Sequence, residues 1–253
     1  AEGPKDIKDS VTQASAAAAR AQIVLNSEHL KVEAITAFVD REVCTGCGLC
    51  AKVCPYGAIL ADSKTKMIAQ VLEAKCSGCG TCSAECRFDA ITMRHFPDAA
   101  LIAQIESALA SDPENKVVTF ACNWCSYAGA DYAGVSRMQY PPNARLIRTM
   151  CSGRVDEDFI LRAFQLGAPV VLVSGCHFAD CHYINANRWT QKRVDRLWDR
   201  LERKGIRPER LQLEWISAAE GAKFALVMKE MERIRQAVTQ EEIEATRRVL
   251  AEG

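Results

Sequence analysis

Val43-Cys44-Thr45-Gly46-Cys47-Gly48-Leu49-Cys50 returns 32 positions later as Lys75-Cys76-Ser77-Gly78-Cys79-Gly80-Thr81-Cys82, and Ala58-Ile59 returns as Ala90-Ile91. Self-similarity at a fixed period means one structural unit used twice. Each copy, within residues 38–97, reads as a short strand, a cysteine loop, a helical turn and a second strand. The first run continues to Cys54-Pro55. The resulting spacing, Cys-x2-Cys-x2-Cys-x3-Cys-Pro, is one in which three thiolates hold one [4Fe–4S] cluster and the fourth reaches its neighbour. A two-residue gap wraps the backbone around a cluster corner. Gly46, Gly48, Gly78 and Gly80 permit that path because they lack a Cβ. Cys44, Cys47, Cys50 and Cys86 are therefore expected on one cluster, and Cys76, Cys79, Cys82 and Cys54 on the other. A pair of zinc knuckles fits two four-cysteine runs of this form poorly.

The second run departs from the first in one respect: Arg87, not proline, follows Cys86. A cation beside a cluster favours its reduced, more negative state. Arg87 is thus expected to raise one cluster's potential relative to the other. Over about 60 residues this segment resembles the bacterial-type dicluster ferredoxins.

The chain has 253 residues, with Lys+Arg and Asp+Glu balanced at 32 each. That balance offers no electrostatic argument for nucleic acid or an acidic membrane. No apolar run reaches the roughly 18 residues of a membrane span, and the polar start from Ala1 to Ser10 does not read as a signal peptide. The cysteine count is odd, 13. Eight in cluster spacing need free thiolates, which points to a reducing, cytoplasmic setting rather than a disulfide framework.

Working outward, residues 1–37 open with a Gly3-Pro4 loop and an alanine-rich helix from about Ser10 to Leu25. Its small side chains suit docking on another backbone. Pro97-Asp98 closes the repeat, and Asp98 is expected to cap a connecting helix to about Ala110, followed by a turn at 111–115. From residue 116 strands and helices alternate. Strands are expected at Val117–Ala121, Leu146–Met150, Val170–Ser174 and Leu211–Ile216, with helices near 131–139, 157–166 and 186–204. Asp156 caps the second of these helices, and Gly167 and Gly205 end the second and third. Such alternation favours a parallel sheet covered on both faces. Ser217-x-x-Glu220 and Thr239-x-x-Glu242 are capping boxes that start closing helices at about 218–237 and 240–251, the latter read as a solvated end in preference to a docking arm. The fold class is therefore an α+β dicluster ferredoxin module followed by an α/β domain with a four-stranded parallel sheet, with extra N- and C-terminal helices. The expected segments are 1–37, 38–97, 98–115, 116–216 and 217–253.

Five cysteines remain: Cys122, Cys125, Cys151, Cys176 and Cys181. They follow the first three strands of the α/β domain, and parallel strands open on one edge, where such sheets bind ligands. Five thiols distant in sequence should converge there. An all-thiolate set suits an Fe–S cluster or zinc, and Cys122-Asn-Trp-Cys125 also reads as a redox dithiol. Cys176-x4-Cys181-His182 is not the haem-attachment pattern. His177 and His182 are read as hydrogen-bond donors to sulfur rather than ligands, and Trp124 and Tyr183 as walls that keep water out.

Phe120-Ala-Cys-Asn-Trp-Cys-Ser-Tyr-Ala-Gly-Ala-Asp131, Gln139-Tyr-Pro-Pro142, Met150-Cys-Ser-Gly-Arg154 and Gly175-Cys-His-x3-Cys-His-Tyr183 closely resemble the delta subunit of methyl-viologen-reducing hydrogenase over roughly residues 115–215. Gly3-Pro-Lys-Asp-Ile7 with Ser10-Val-Thr-Gln-Ala-Ser-Ala-Ala-Ala19 is similar to the last helix of the FAD domain in the flavin subunit of heterodisulfide reductase. The ferredoxin module then follows in the same order. The chain thus resembles the tail of that flavin subunit fused to the hydrogenase delta subunit. The resemblance implies one [2Fe–2S] cluster and a non-catalytic electron-transfer role in a flavin-based, electron-bifurcating oxidoreductase complex. Its partners would be a donor of hydrogenase or formate dehydrogenase type and a flavin subunit. Cys122, Cys151, Cys176 and Cys181 are the expected [2Fe–2S] ligands, with Cys125 the spare that competes for a place. No Gly-x-Gly-x-x-Gly loop occurs, so FAD is expected only on a partner protein. The helix start near Asp9-Ser10 either contacts that flavin or only docks. The competing functions are a free ferredoxin-like carrier and a dithiol or zinc protein.

Overall fold

The structure is a computed structural model that describes residues 6–28 and 33–251. The chain divides into two compact units, residues 1–32 and 33–253. The Gly3-Pro4 opening expected from sequence lies outside the described residues.

In the first unit, α1 (Ile7–Leu25) begins about one turn earlier than the sequence suggested. Asp6 is the reason: its carboxylate accepts from the Asp9 amide at 2.8 Å, satisfying one of the donors a helix start leaves free.

The second unit opens with the repeat. Its elements are β1 (Ala37–Val39), α2 (Leu49–Val53), β2 (Ile59–Asp62), β3 (Met67–Val71), α3 (Thr81–Ala84) and β4 (Ile91–Met93). The copies are interlocked. β1 pairs antiparallel with β4, Ala37 opposite Met93, while β2 pairs antiparallel with β3, Ile59 opposite Val71. The first strand of one copy thus meets the last strand of the other. Each short helix starts on a left-handed glycine, Gly48 at φ +76° and Gly80 at φ +78°, a conformation that costs a residue with a Cβ. Val39, Val53, Ile59, Ala69, Ile91 and Met93 form the buried centre.

α4 (Asp98–Ala108) follows. Pro97, not Asp98, holds the N-cap position; the Asp98 carboxylate instead accepts from Arg154.

The remainder is β5 (Val117–Cys122), α5 (Ser126–Val135), β6 (Ala144–Thr149), α6 (Glu157–Gln165), β7 (Val170–Gly175), α7 (Ala186–Arg203), β8 (Leu211–Trp215), α8 (Gly221–Gln236) and α9 (Gln240–Ala251). All four strands are parallel, in the order β6-β5-β7-β8. Every residue of β5 and β7 is buried, as expected for strands with both faces covered. Their side chains alternate. Val118, Phe120, Val171 and Val173 belong to a core with Leu101, Ile105, Phe159, Phe164 and Leu197 of α4, α6 and α7. Val117, Val170 and Leu172 belong to another, with Ala133, Phe224 and Met228 of α5 and α8. The period of two along each strand therefore feeds two separate cores.

In this part of the chain the largest differences from expectation lie at β6, α5 and α8. β6 starts two residues early, and α5 starts at Ser126 rather than near 131. The small residues of α5 give it little apolar period, yet they let it approach closely: a Cβ on Gly129 would lie 2.8 Å from the Ser217 carbonyl oxygen. The start of α8 also differs. Glu220 sits at its N-cap and its carboxylate accepts from the Ser217 amide at 2.7 Å. The Thr239–Glu242 box closes in both directions, at 3.0 and 3.2 Å. α9 is not merely a solvated end, because Ile243, Thr246 and Leu250 are buried. Among the described residues no helix is long and apolar enough to cross a membrane.

Candidate iron–sulfur sites

The cysteine loops of the repeat line two cavities. One is bounded by Cys44, Cys47, Cys50 and Cys86, with Gly46, Gly48 and Ile91. The other is bounded by Cys54, Cys76, Cys79 and Cys82, with Tyr56, Gly78 and Gly80. The last cysteine of each copy thus lines the cavity of the other. α2 carries the chain from Cys50 on one cavity to Cys54 on the next, and α3 does the same from Cys82 to Cys86.

The donor chemistry of both cavities fits iron. Burial pushes the Cys50 thiol up to about 11 and also raises Cys79 and Cys82. A thiolate in such a place needs a cation bonded to the sulfur. Backbone and hydroxyl donors face the sulfurs as well. The Ala37 amide donates to Cys76 Sγ at 3.5 Å, and Cys79 Sγ lies 3.6 Å from Thr81 Oγ1.

A third group of thiols lies at the carboxyl edge of the parallel sheet. Cys122 ends β5, Cys151 follows β6 and Cys176 follows β7. β5 lies between β6 and β7, and the connections from the neighbours β5 and β7 run in opposite directions across the sheet. That is the switch point at which open α/β sheets form a crevice. The sulfurs of Cys122, Cys125 and Cys176 lie within 4.8 Å of one another, and those of Cys122 and Cys176 are 3.8 Å apart. All three residues are buried.

Cys122 is the centre of the network. Hydrogen bonds from Cys125, Cys151 and Cys176 hold its thiol well below the usual range, and sharing with Cys122 raises Cys125, Cys151 and Cys176, the last to about 12. Cys181 is hydrogen-bonded to Cys151 and held down at about 6, helped by the backbone amides of Asn187, Tyr183 and Ala186 near the start of α7. The expectation that Cys125 is the spare thiol meets a different geometry: Cys125 belongs to the compact trio, and Cys181 joins through Cys151.

The surrounding side chains have specific partners. The Trp124 indole donates to the Tyr183 hydroxyl at 2.9 Å, and its ring stacks on His182 at 3.9 Å. Tyr183 is buried, but Trp124 is 44% exposed, so Tyr183 is the inner wall. The His177 ring pairs with Glu220 at 2.7 Å. The His177 imidazole is thus engaged with Glu220 rather than with a sulfur, and the His182 backbone amide donates to Cys176.

The third group adjoins the second cavity. Cys151, Tyr183 and Ala186 form a buried cluster on which Tyr56, Cys79 and Cys181 pack. The 151–154 turn presses on the 79–81 turn so closely that a Cβ on Gly153 would lie 2.3 Å from Thr81 Oγ1. The sequence gives no sign of this contact, because it joins two segments with no shared motif.

Such a fold and such sites define a class of iron–sulfur protein, a dicluster ferredoxin module joined to a parallel α/β domain rich in thiols. Residues 33–93 match the 4Fe-4S dicluster domain, and residues 117–237 match methyl-viologen-reducing hydrogenase, delta subunit. The chain is 46% identical over 240 residues to the A subunit of the ferredoxin:CoB-CoM heterodisulfide reductase of Methanosarcina mazei, which covers 92% of this chain and 30% of that protein. It is 54% identical over 123 residues to the vhc D iron-sulfur subunit of the F420-non-reducing hydrogenase of Methanococcus voltae, covering 49% of this chain and 85% of that one. The corresponding F420-non-reducing hydrogenase protein of Archaeoglobus profundus is 49% identical over 119 residues, covering 47% of this chain and 87% of that protein. The chain belongs to the methyl-viologen-reducing hydrogenase delta subunit family, with a 4Fe-4S dicluster domain ahead of the family's own domain. It spans about 30% of the length of the Methanosarcina mazei reductase protein that it matches.

Proposed function

We propose that this chain is a non-catalytic electron-transfer protein with three redox centres in succession. Cys44, Cys47, Cys50 and Cys86 hold one [4Fe–4S] cluster, and Cys54, Cys76, Cys79 and Cys82 hold the second. Four of Cys122, Cys125, Cys151, Cys176 and Cys181 hold a [2Fe–2S] cluster. Cys122, Cys151 and Cys176 fill three of its places, and Cys125 and Cys181 compete for the fourth. When bound, these clusters supply one-electron oxidation and reduction without group transfer. The protein's part is to hold the cysteines of neighbouring centres on short loops close to one another.

The observation that carries this reading is the buried cluster of Cys151, Tyr183 and Ala186, on which both Cys79 and Cys181 pack. A cysteine lining the second cavity thus shares a cluster with thiols of the sheet edge, which supports the second cavity as the middle station. The likeness to heterodisulfide reductase and to hydrogenase iron-sulfur proteins supports a place in a flavin-based, electron-bifurcating complex. The donor is of hydrogenase or formate dehydrogenase type, and a partner protein holds the flavin, with α1 as a docking element.

Iron and sulfide analysis of anaerobically purified chain tests the cluster content. Two cubanes and one diiron cluster require about ten irons per chain. About eight irons together with zinc would instead assign the compact trio of Cys122, Cys125 and Cys176 to zinc, the second reading that their spacing favours. Cys125→Ala and Cys181→Ala, each followed by EPR, identify the fourth ligand, because one should keep the [2Fe–2S] signal and the other lose it. Co-purification of a flavoprotein tests the partner; a chain isolated as a free monomer would favour the soluble carrier.

A further inference from the structure

Arg154 is a buried cation placed on the loop of the middle station. The residue is 1% exposed. Its aliphatic stem covers Gly80, between Cys79 and Cys82: a Cβ on Gly80 would lie 2.3 Å from Arg154 Cδ and 3.1 Å from Cβ and Cγ. The guanidinium is only partly satisfied. Nη2 donates to Asp98 and, at 3.5 Å, to the Phe96 carbonyl. Nε and Nη1 are buried with no hydrogen-bond partner among the described residues, and the group lies 5.2 Å from the centre of the Phe159 ring. Unmade hydrogen bonds at a buried cation are costly, which leaves the position of this charge in need of a reason.

We infer that Arg154 sets the reduction potential of the [4Fe–4S] cluster held by Cys54, Cys76, Cys79 and Cys82, raising it by stabilising the added electron. This rests on the cluster reading above. A charge in a poorly polarisable interior acts over several ångströms with little screening. Asp98 offsets that charge incompletely, because its side chain is 43% exposed while that of Arg154 is 1% exposed. Arg87, the arginine next in sequence to a cluster cysteine, is exposed, and its charge is screened by water and salt. Arg154 is thus a positioning residue for electrons that acts through its field, and it makes the middle station the easier one to reduce.

EPR-monitored redox titration of the full chain, prepared anaerobically, tests this. Cys76→Ser identifies the signal of the middle cluster by perturbing it. Arg154→Met should move that cluster's midpoint to more negative potential, and Arg154→Lys should retain most of the parent value. Asp98→Asn removes the offsetting charge and should move the same midpoint to more positive potential. A merely structural role predicts no such opposition of sign. If Asp98→Asn leaves the midpoint in place or lowers it while the iron content is unchanged, the inference is overturned; this variant also decides the matter if Arg154→Met does not fold. A folded chain without iron would overturn the cluster reading itself, which is a different result.

Discussion

Glu85 and Arg193 form an ion pair at 3.0 Å with both side chains buried, 5% and 2% exposed. Glu85 immediately precedes Cys86, and Arg193 lies on α7, so the pair fastens the dicluster segment to the α/β domain. Arg193 also donates to the carbonyls of Val155 at 2.6 Å and Gly153 at 3.3 Å. Removing one partner strands a buried charge. Glu85→Ala is expected to lower stability by about 3 kcal/mol, read by anaerobic guanidinium unfolding. Glu85→Ala with Arg193→Met should recover part of that loss; a double variant less stable than the single would show that the pair is not what links the segments.

Gly153 is expected to tolerate no side chain. Its Cβ would also lie 3.0 Å from that of Ala186, besides the contact with Thr81. Overpacking of this kind costs about 1–3 kcal/mol. Gly153→Ala should also slow the passage of electrons between the sheet edge and the middle station, because the two turns must separate. Rapid-freeze EPR after mixing with a reductant checks this, and adding Thr81→Ala should restore part of the rate.

Asp156 gives a pH dependence with a defined sign. Burial raises its carboxyl from 3.8 to about 6, although the carboxylate caps α6 by accepting from the Asp158 amide at 3.1 Å. The folded chain holds this proton more tightly than the unfolded chain. The contribution of Asp156 to stability is therefore fully present below about pH 4 and falls away as pH rises through about 6. Asp156→Asn keeps an oxygen acceptor for the cap without the charge. Unfolding midpoints measured from pH 4 to 7 should fall less steeply in the variant than in the parent; equal slopes would contradict this assignment.

Arg210 clasps the C-terminal helix. It donates to the Pro169 carbonyl at 2.7 Å and to Thr246 Oγ1 at 2.5 Å, and burial lowers its pKa only to about 10, so it stays charged at neutral pH. Arg210→Met removes these donors and should cost about 2–3 kcal/mol. Thr246→Val should cost about 1 kcal/mol. Limited proteolysis should cut at Arg247 or Arg248 of α9 sooner in the first variant; unchanged cleavage would mean that apolar packing alone retains the helix.

Much of the architecture is legible in the order of residues. The repeat places the strands and turns of the dicluster segment, because each loop that can follow a Cys-x2-Cys-x2-Cys path is short and glycine-bound. Strand–helix alternation announces the parallel sheet, and parallel strands necessarily bring Cys122, Cys151 and Cys176 to one edge. The start of α5 is hidden because Gly129 and its small neighbours leave no apolar stripe, and the buried face of α9 is hidden among its charges.

The sequence by itself determined the local chemistry: which cysteines share a loop, which glycines turn it and which edge of the sheet the other thiols follow. Only the tertiary structure decided which loops touch. Arg87 stands beside a cluster cysteine in the chain but is exposed to water, while Arg154 is remote in the chain and lies on Gly80. Spacing along a backbone sets local geometry, but the strength of a charge depends on burial, and burial is a property of packing that no single segment encodes.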